Sequence, residues 1–415
     1  MNKNHMLRRN TDQEGLNNMS VETIDTGVAA ENTAVQSEVR ETVKPEKPVK
    51  KRMLEQDIAK GIAIILVIAL HTLTIDKGIY YILGGLFGFI MPFFFFMAGY
   101  NHRPYRYTYK EIILKRLKQI GIPFLTYSIS ITLISGVYYM IAEGYSFQKV
   151  INSYLTLILT RNVASKLGVA QYTGPYCCIM VGWFIIMLLM ASFIFYAVVD
   201  YALSRPGRFV SVFLILISTS MIFAHFDIVL PLHISEAPAV AGIMLLGAYF
   251  GQRQLLAPNL KLWVIIVNSI ISYGMFILLA LTFREAGFIS GGMLWNKSLK
   301  EWAVLLSVVY AVIGTYSFVH FCRLLTKTGI ICKALAWCGN YSLKLLFLHG
   351  VVQLFLCAIL RMEPFRMSYN SDINDFRTFY LLALEIAVTV LVILAIDIVK
   401  KALKKAVKRK AAGDQ

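Results

Sequence analysis

From about residue 55 to residue 400 the chain alternates long apolar runs with short polar blocks. A helix needs about 20 mostly apolar residues to cross the hydrocarbon core of a bilayer. Ten windows meet that demand, at roughly 57–75, 79–100, 119–142, 177–199, 209–225, 235–252, 262–283, 301–322, 340–360 and 378–399. The pattern predicts an all-α fold, a polytopic transmembrane helical bundle of about ten spans occupying residues 53–400. Residues 1–52 are polar and poor in aromatics. They lack the apolar core of a signal peptide and read as a disordered cytoplasmic tail. Residues 401–415 form a second, basic cytoplasmic tail. The loop 143–176 carries an amphipathic stretch, Val150-Ile151-Asn152-Ser153-Tyr154-Leu155, which predicts an interfacial helix or a re-entrant piece.

Composition agrees with insertion in lipid: 57% of the residues are hydrophobic and only 16% charged, against about 25% charged in a soluble domain. The net charge of +17 would ordinarily suggest nucleic acid as a partner. Here the basic residues stand at the edges of the apolar runs, so the positive-inside rule accounts for them and no nucleic-acid partner is expected. With the N-terminal tail inside, 29 of the 41 Lys and Arg fall in segments on the cytoplasmic side. Both termini are then cytoplasmic, and the run Lys400 to Lys410 can also touch anionic lipid. The six cysteines form no CxxC pair, which predicts neither a disulfide framework nor a metal site.

Ionisable groups within the apolar windows are costly, about 2.5–3.5 kcal/mol each on insertion scales, and each needs a reason. Lys60 and His71 lie 11 residues apart on the first window, three turns of helix, and therefore share a face with Ile64 and Val67 between them. Their separation along the axis is about 16 Å, with Lys60 near the cytoplasmic surface and His71 near or beyond mid-depth. A histidine there is a candidate general base; the plainer reading is a buried imidazole satisfied by a backbone carbonyl. For Lys60 alone the plainer reading is snorkelling to the interface. Asp76 completes an H-x4-D spacing, but on a helix it would point about 140° away from His71. The second window holds a small-residue pair, Gly84 and Gly88, then Pro92, which can kink the helix, and Phe93 to Phe96. Those four rings either line an acyl path or face lipid. Arg103 and Arg106 come just inside, three apart, where they could form one anion site. In the ninth window Ser342 and His349 share a face while Lys344 points elsewhere. Glu385 is a candidate counter-ion for this group, or a member of a purely structural pair.

Five stretches, in order, resemble the membrane-bound acyltransferase-3 family, and within it the carbohydrate O-acetylase branch with fucose 4-O-acetylase-like proteins. They are Asp57 to Val67 with His71, Met91 to Tyr100, Lys115-Arg116-Leu117 with Ile122-Pro123-Phe124, Gly182-Trp183-Phe184, and Gly339 to Leu343 with His349. The chain departs from the pattern where many relatives carry arginine at Lys60, histidine at Ile90 and serine at Ala98. The resemblance implies a bacterial cell-membrane enzyme that moves an acyl group, acetyl from acetyl-CoA, to a hydroxyl of a carbohydrate acceptor. That acceptor would be an exopolysaccharide, a capsule or a lipid-linked glycan. Acetyl-CoA would be a substrate and not a tightly bound cofactor. Arg103, Arg106 and Arg116 would meet the acyl-CoA phosphates, with Lys60 at the same end. His71 would deprotonate the acceptor or carry the acyl group, and His349 would be a second base or an orienting group. Two other classes suit the same charges: a secondary transporter or glycan exporter, and a non-catalytic membrane partner of a glycan synthase. Against the transporter, residues 57–200 and 209–399 show no convincing internal repeat.

Overall fold

The structure, a computed structural model, describes residues 53–74, 88–104, 107–159, 182–256, 261–282, 301–362 and 375–413. Among these residues it is all helical; the only strand-like feature is an isolated antiparallel bridge between Thr74 and Asp375. Helix α1 spans Leu54–Thr72, α2 Ile90–Tyr100, and α3 Tyr109–Ala142. An amphipathic helix, α4, covers Phe147–Leu159, so the stretch expected at 150–155 is helical. Then come α5 (Trp183–Leu203), α6 (Pro206–His225), α7 (Ala237–Gln252), α8 (Leu262–Thr282) and α9 (Glu301–Leu325). The chain ends in α10 (Ile330–Asn340), α11 (Ser342–Leu360) and α12 (Arg377–Gly413).

Seven helices among the described residues are long and apolar enough to cross a membrane: α3, α5, α6, α7 with the short turn before it, α9, α11 and α12. The protein is therefore a membrane protein, and of the expected ten or so spans seven are found among the described residues. Helices α1 and α8 lie on expected windows. In α1, however, Glu55, Asp57 and Lys60 crowd the first two turns. The acidic pair suits the positive end of the helix dipole. The second window is represented by only the 11 residues of α2.

Pro92, which could have kinked a helix, does not. It occupies the third position of α2, in the first turn, where its missing N–H would have had no intrahelical partner. Phe93, Phe95 and Phe96 also do not face lipid: all three are buried, and Phe94 is partly buried. Their rings meet Phe318 of α9, Phe184 of α5 and Phe250 of α7 at centroid separations of 5.4, 4.9 and 5.2 Å. Three facing helices, not lipid, thus take up the aromatic payload.

Helix α1 is buried on most of its length and touches α2, α9, α10, α11 and α12. Its closest neighbour is α10. A Cβ at Gly61 would lie 1.9 Å from the Leu335 carbonyl oxygen, and one at Gly339 would lie 1.9 Å from that of Asp57. Only glycines let the two backbones touch, the usual device where small residues must bring helices together in lipid. Helices α2 and α7 meet the same way through Gly99 and Gly247.

Helix α3 starts on a capping box, in which the Thr108 hydroxyl accepts from the Glu111 N–H and the Glu111 carboxylate accepts from the Thr108 N–H. About two turns later Leu117–Gly121 widens into a π turn. Such a turn holds one extra residue and rotates the helix beyond it, so Arg116 and the apolar length of α3 need not share one helical phase.

Candidate active site

Two histidines that stand far apart in sequence meet here. His71 is in the last turn of α1 and His349 is in α11, and their rings lie 6.0 Å apart, tilted by 32°. His349 is fully buried. Its Nδ1 donates to the Leu346 carbonyl at 2.8 Å and lies 3.2 Å from that of Leu345. With the proton held on Nδ1, Nε2 presents a lone pair, and that atom is buried with no hydrogen-bond partner. His71, taken as a whole residue, is half-buried.

Polar side chains from α11 and α12 surround the pair. Gln353, one turn after His349, donates its Nε2 to the His71 carbonyl at 3.3 Å. That carbonyl is open because α1 ends at Thr72 and Leu73 turns extended. The Thr72 hydroxyl lies 2.7 Å from a Glu385 carboxylate oxygen and 2.8 Å from the Ile68 carbonyl.

Glu385 is thus no counter-ion to Lys344, Ser342 or His349. Lys344 pairs with Asp397 instead, at 2.5 Å. Twelve residues of α12 separate Asp397 from Glu385, about 18 Å of helix, so one lysine is beyond the reach of the other carboxylate.

At the opposite end of α1, Lys60 Nζ lies 3.7 Å from Asp57, and the lysine side chain keeps partial exposure. Ile64 and Val67 are buried between Lys60 and His71, as the shared face requires. Nearby, the buried Arg323 is fully engaged. It pairs with Glu55 at 3.3 Å, donates to the Leu256 carbonyl, and lies 3.0 Å from His320 Nδ1. This arginine fastens α1 and α9 to the end of α7 and offers no free edge to a ligand.

Of the three arginines expected to form an anion site, Arg103 is exposed, Arg106 lies outside the described residues, and Arg116 is held on α5. The Arg116 guanidinium donates to the Tyr196 hydroxyl and lies 5.2 Å from its ring centre. Beside it His102 lies 3.1 Å from the Asp200 carboxylate, with its ring against Phe195 and Tyr196. Burial pushes the His102 imidazole below its usual range, against the opposing pull of Asp200. Asp76, of the H-x4-D spacing, lies outside the described residues, beyond the end of α1. Gly84 is outside them as well.

Sequence reasoning had no hold on Gln353, Thr72, Thr389, Tyr196 or Asp200. The available signal for two of them was spacing: Gln353 comes four residues after His349, and Thr389 four after Glu385, so each pair shares a helix face. No group of three or more His, Cys, Asp or Glu among the described residues is placed to hold a metal. A family model described as an acyltransferase domain matches residues 54–396. Comparison with curated proteins and with solved structures returned no match.

Proposed function

Because the chain belongs to the acyltransferase-3 family and is built as a membrane protein, we propose that it transfers an acyl group, acetyl from acetyl-CoA, to a hydroxyl of a cell-surface or lipid-linked carbohydrate. The observation that carries this reading is the pairing of His71 and His349 from two separate helices. An isolated membrane histidine needs only a backbone partner, and His349 has that on Nδ1. Nothing structural calls for a second imidazole 6.0 Å away.

In the proposed reaction His71 takes the proton of the acceptor hydroxyl as its oxygen attacks the thioester carbonyl. The C–O bond forms, the C–S bond breaks, and the proton passes to the leaving thiolate to give free CoA thiol. His349, with its tautomer fixed by the Leu346 carbonyl, accepts a hydrogen bond through Nε2 from a neighbouring hydroxyl of the acceptor and so orients the one that reacts. Lys60, Arg103, Arg106 and Arg116 offer positive charge to the CoA phosphates from the cytoplasmic side. The basic residues support that orientation, with residues 1–52 and 401–415 as cytoplasmic tails of a bacterial cell-membrane domain over 53–400.

The test uses purified full-length protein, radiolabelled acetyl-CoA and extracted membrane glycan. Thiol release coupled to label in the glycan is expected, and His71→Ala should abolish it without loss of expression. An expressed His71→Ala protein with full activity would remove the histidine from this role.

A further inference from the structure

Four buried polar atoms of α11 and α12 have no hydrogen-bond partner: His349 Nε2, Gln353 Oε1, Glu385 Oε1 and Thr389 Oγ1. Each of these residues is at most 1% exposed. Orphaned polar atoms are rare inside proteins, and each raises the question of what else would bind there. Three of the four residues lie at the end of α1, His349 through its ring against His71. Gln353 is tied to the His71 carbonyl, and Glu385 sits against the Thr72 hydroxyl, so α11 and α12 both deliver polar side chains to the last turn of α1. The Lys344–Asp397 pair sets the register of these two consecutive helices, which puts Thr389 level with Gln353. Glu385 is then about one turn, roughly 6 Å, to one side and His349 about as far to the other.

The chemistry of the set is one-sided. An amide oxygen, a carboxyl oxygen and an imidazole lone pair all accept hydrogen bonds, and a threonine hydroxyl can do so too. A ligand that satisfies them must donate several hydrogens at helical spacing. A hard cation would suit the oxygens, but not a histidine nitrogen. A chain of hydroxyls suits all four.

We propose that Gln353, Glu385 and Thr389 form the acceptor subsite, holding the ring hydroxyls of a sugar beside the one that reacts between His71 and His349. This assignment rests on the acyl-transfer reading for the last clause only; the polyol site stands on the orphaned acceptors.

The probe is methyl β-D-glucopyranoside with full-length protein in nanodiscs, assayed by saturation-transfer NMR and by acetyl transfer from acetyl-CoA. Three near-isosteric variants each remove or reverse an acceptor: Glu385→Gln, Gln353→Met and Thr389→Val. Loss of one neutral hydrogen bond weakens binding roughly three- to tenfold. The KM for the glycoside should rise by those factors, while the KM for acetyl-CoA, at the far end of α1, stays within about twofold. Thr389→Val should in addition raise the melting temperature of the unliganded protein, since a methyl group replaces a buried hydroxyl that has no partner. Glycoside binding lost in the variants of a protein that shows no acetyl transfer would keep the polyol site and refute the acyltransfer reading. Wild-type transfer with variant KM values equal to wild type would refute the subsite and keep the reading. Stabilisation of the wild type, but not of Glu385→Gln, by sodium chloride with no glycoside binding would place a cation there and overturn the proposal.

Discussion

Replacing Gly61 by alanine tests how closely the site depends on the crossing of α1 and α10. The new methyl carbon would lie 1.9 Å from the Leu335 carbonyl oxygen, and real contacts of this kind essentially never fall below 3.0 Å. The clashing atom is backbone, so no side chain can swing aside. The helices must part by about 1.1 Å at the crossing, an overpacking strain of about 1–3 kcal/mol. The same displacement carries through α1, because a helix moves as a rod, and shifts His71 against His349 on α11. A misplacement of about 1 Å in a catalytic arrangement costs about 10²-fold in rate. Gly61→Ala is therefore expected to lower both the melting temperature in detergent and the rate of acetyl transfer, the latter by about two orders of magnitude. Gly207→Ala is the control: nothing lies within 4 Å of its would-be Cβ, at the exposed start of α6. It should be neutral or stabilise by about 0.5–1 kcal/mol, as alanine does in a helix. A Gly61→Ala protein with wild-type stability and rate would refute the reasoning, since the backbones could not then be in contact.

Three further outcomes are expected. His349→Asn keeps a donor near the position of Nδ1 and deletes Nε2; with His349 as an orienting group its rate should fall less than the roughly 10²–10⁴-fold expected for His71→Ala, and equal losses would make His349 a base in its own right. Glu55→Gln leaves the buried Arg323 without its carboxylate, and breaking such a pair costs about 3–5 kcal/mol; a melting temperature equal to wild type would show that the contact carries no net stability. The depressed His102 pKa means that, as pH falls below about 6.5, the unfolded chain takes up a proton that the folded one resists, so stability should decrease with acidification. His102→Gln should flatten that slope between about pH 7.5 and 5.5, and unchanged slopes would remove His102 as its source.

Much of the bundle was legible because lipid imposes a single rule, a run of about 20 apolar residues per crossing. Helices α5, α6, α9, α11 and α12 begin within about six residues of their expected windows. The reading slipped where an apolar run has two physical solutions. Phe93 to Phe96 look the same in sequence whether they meet lipid or other helices, and only the arrival of Phe184, Phe250 and Phe318 decides. Pro92 reads as a kink until the start of α2 is known. In the site, the helical phase of Lys60 and His71 was visible because both stand on one element. The meeting of His71 with His349 was not, because a periodicity within one helix carries no record of which helix lies opposite. The misassigned Glu385 shows the same limit. Its partner is Thr72, more than 300 positions away, and a hydroxyl gives no charge signal to look for.

Helix α1 also acts as a gauge. Lys60 and His71 are fixed on one rod, clamped near its base where Gly61 meets α10, so the span of about 16 Å between them has no joint along it. Under the proposed reading the protein does not shorten that distance by closing around its substrates. The carrier of the acyl group must bring the length itself, through a flexible arm that reaches from its anchored phosphates to the histidines. Selection of the donor would then depend first on the length of the arm and only afterwards on the group at its tip.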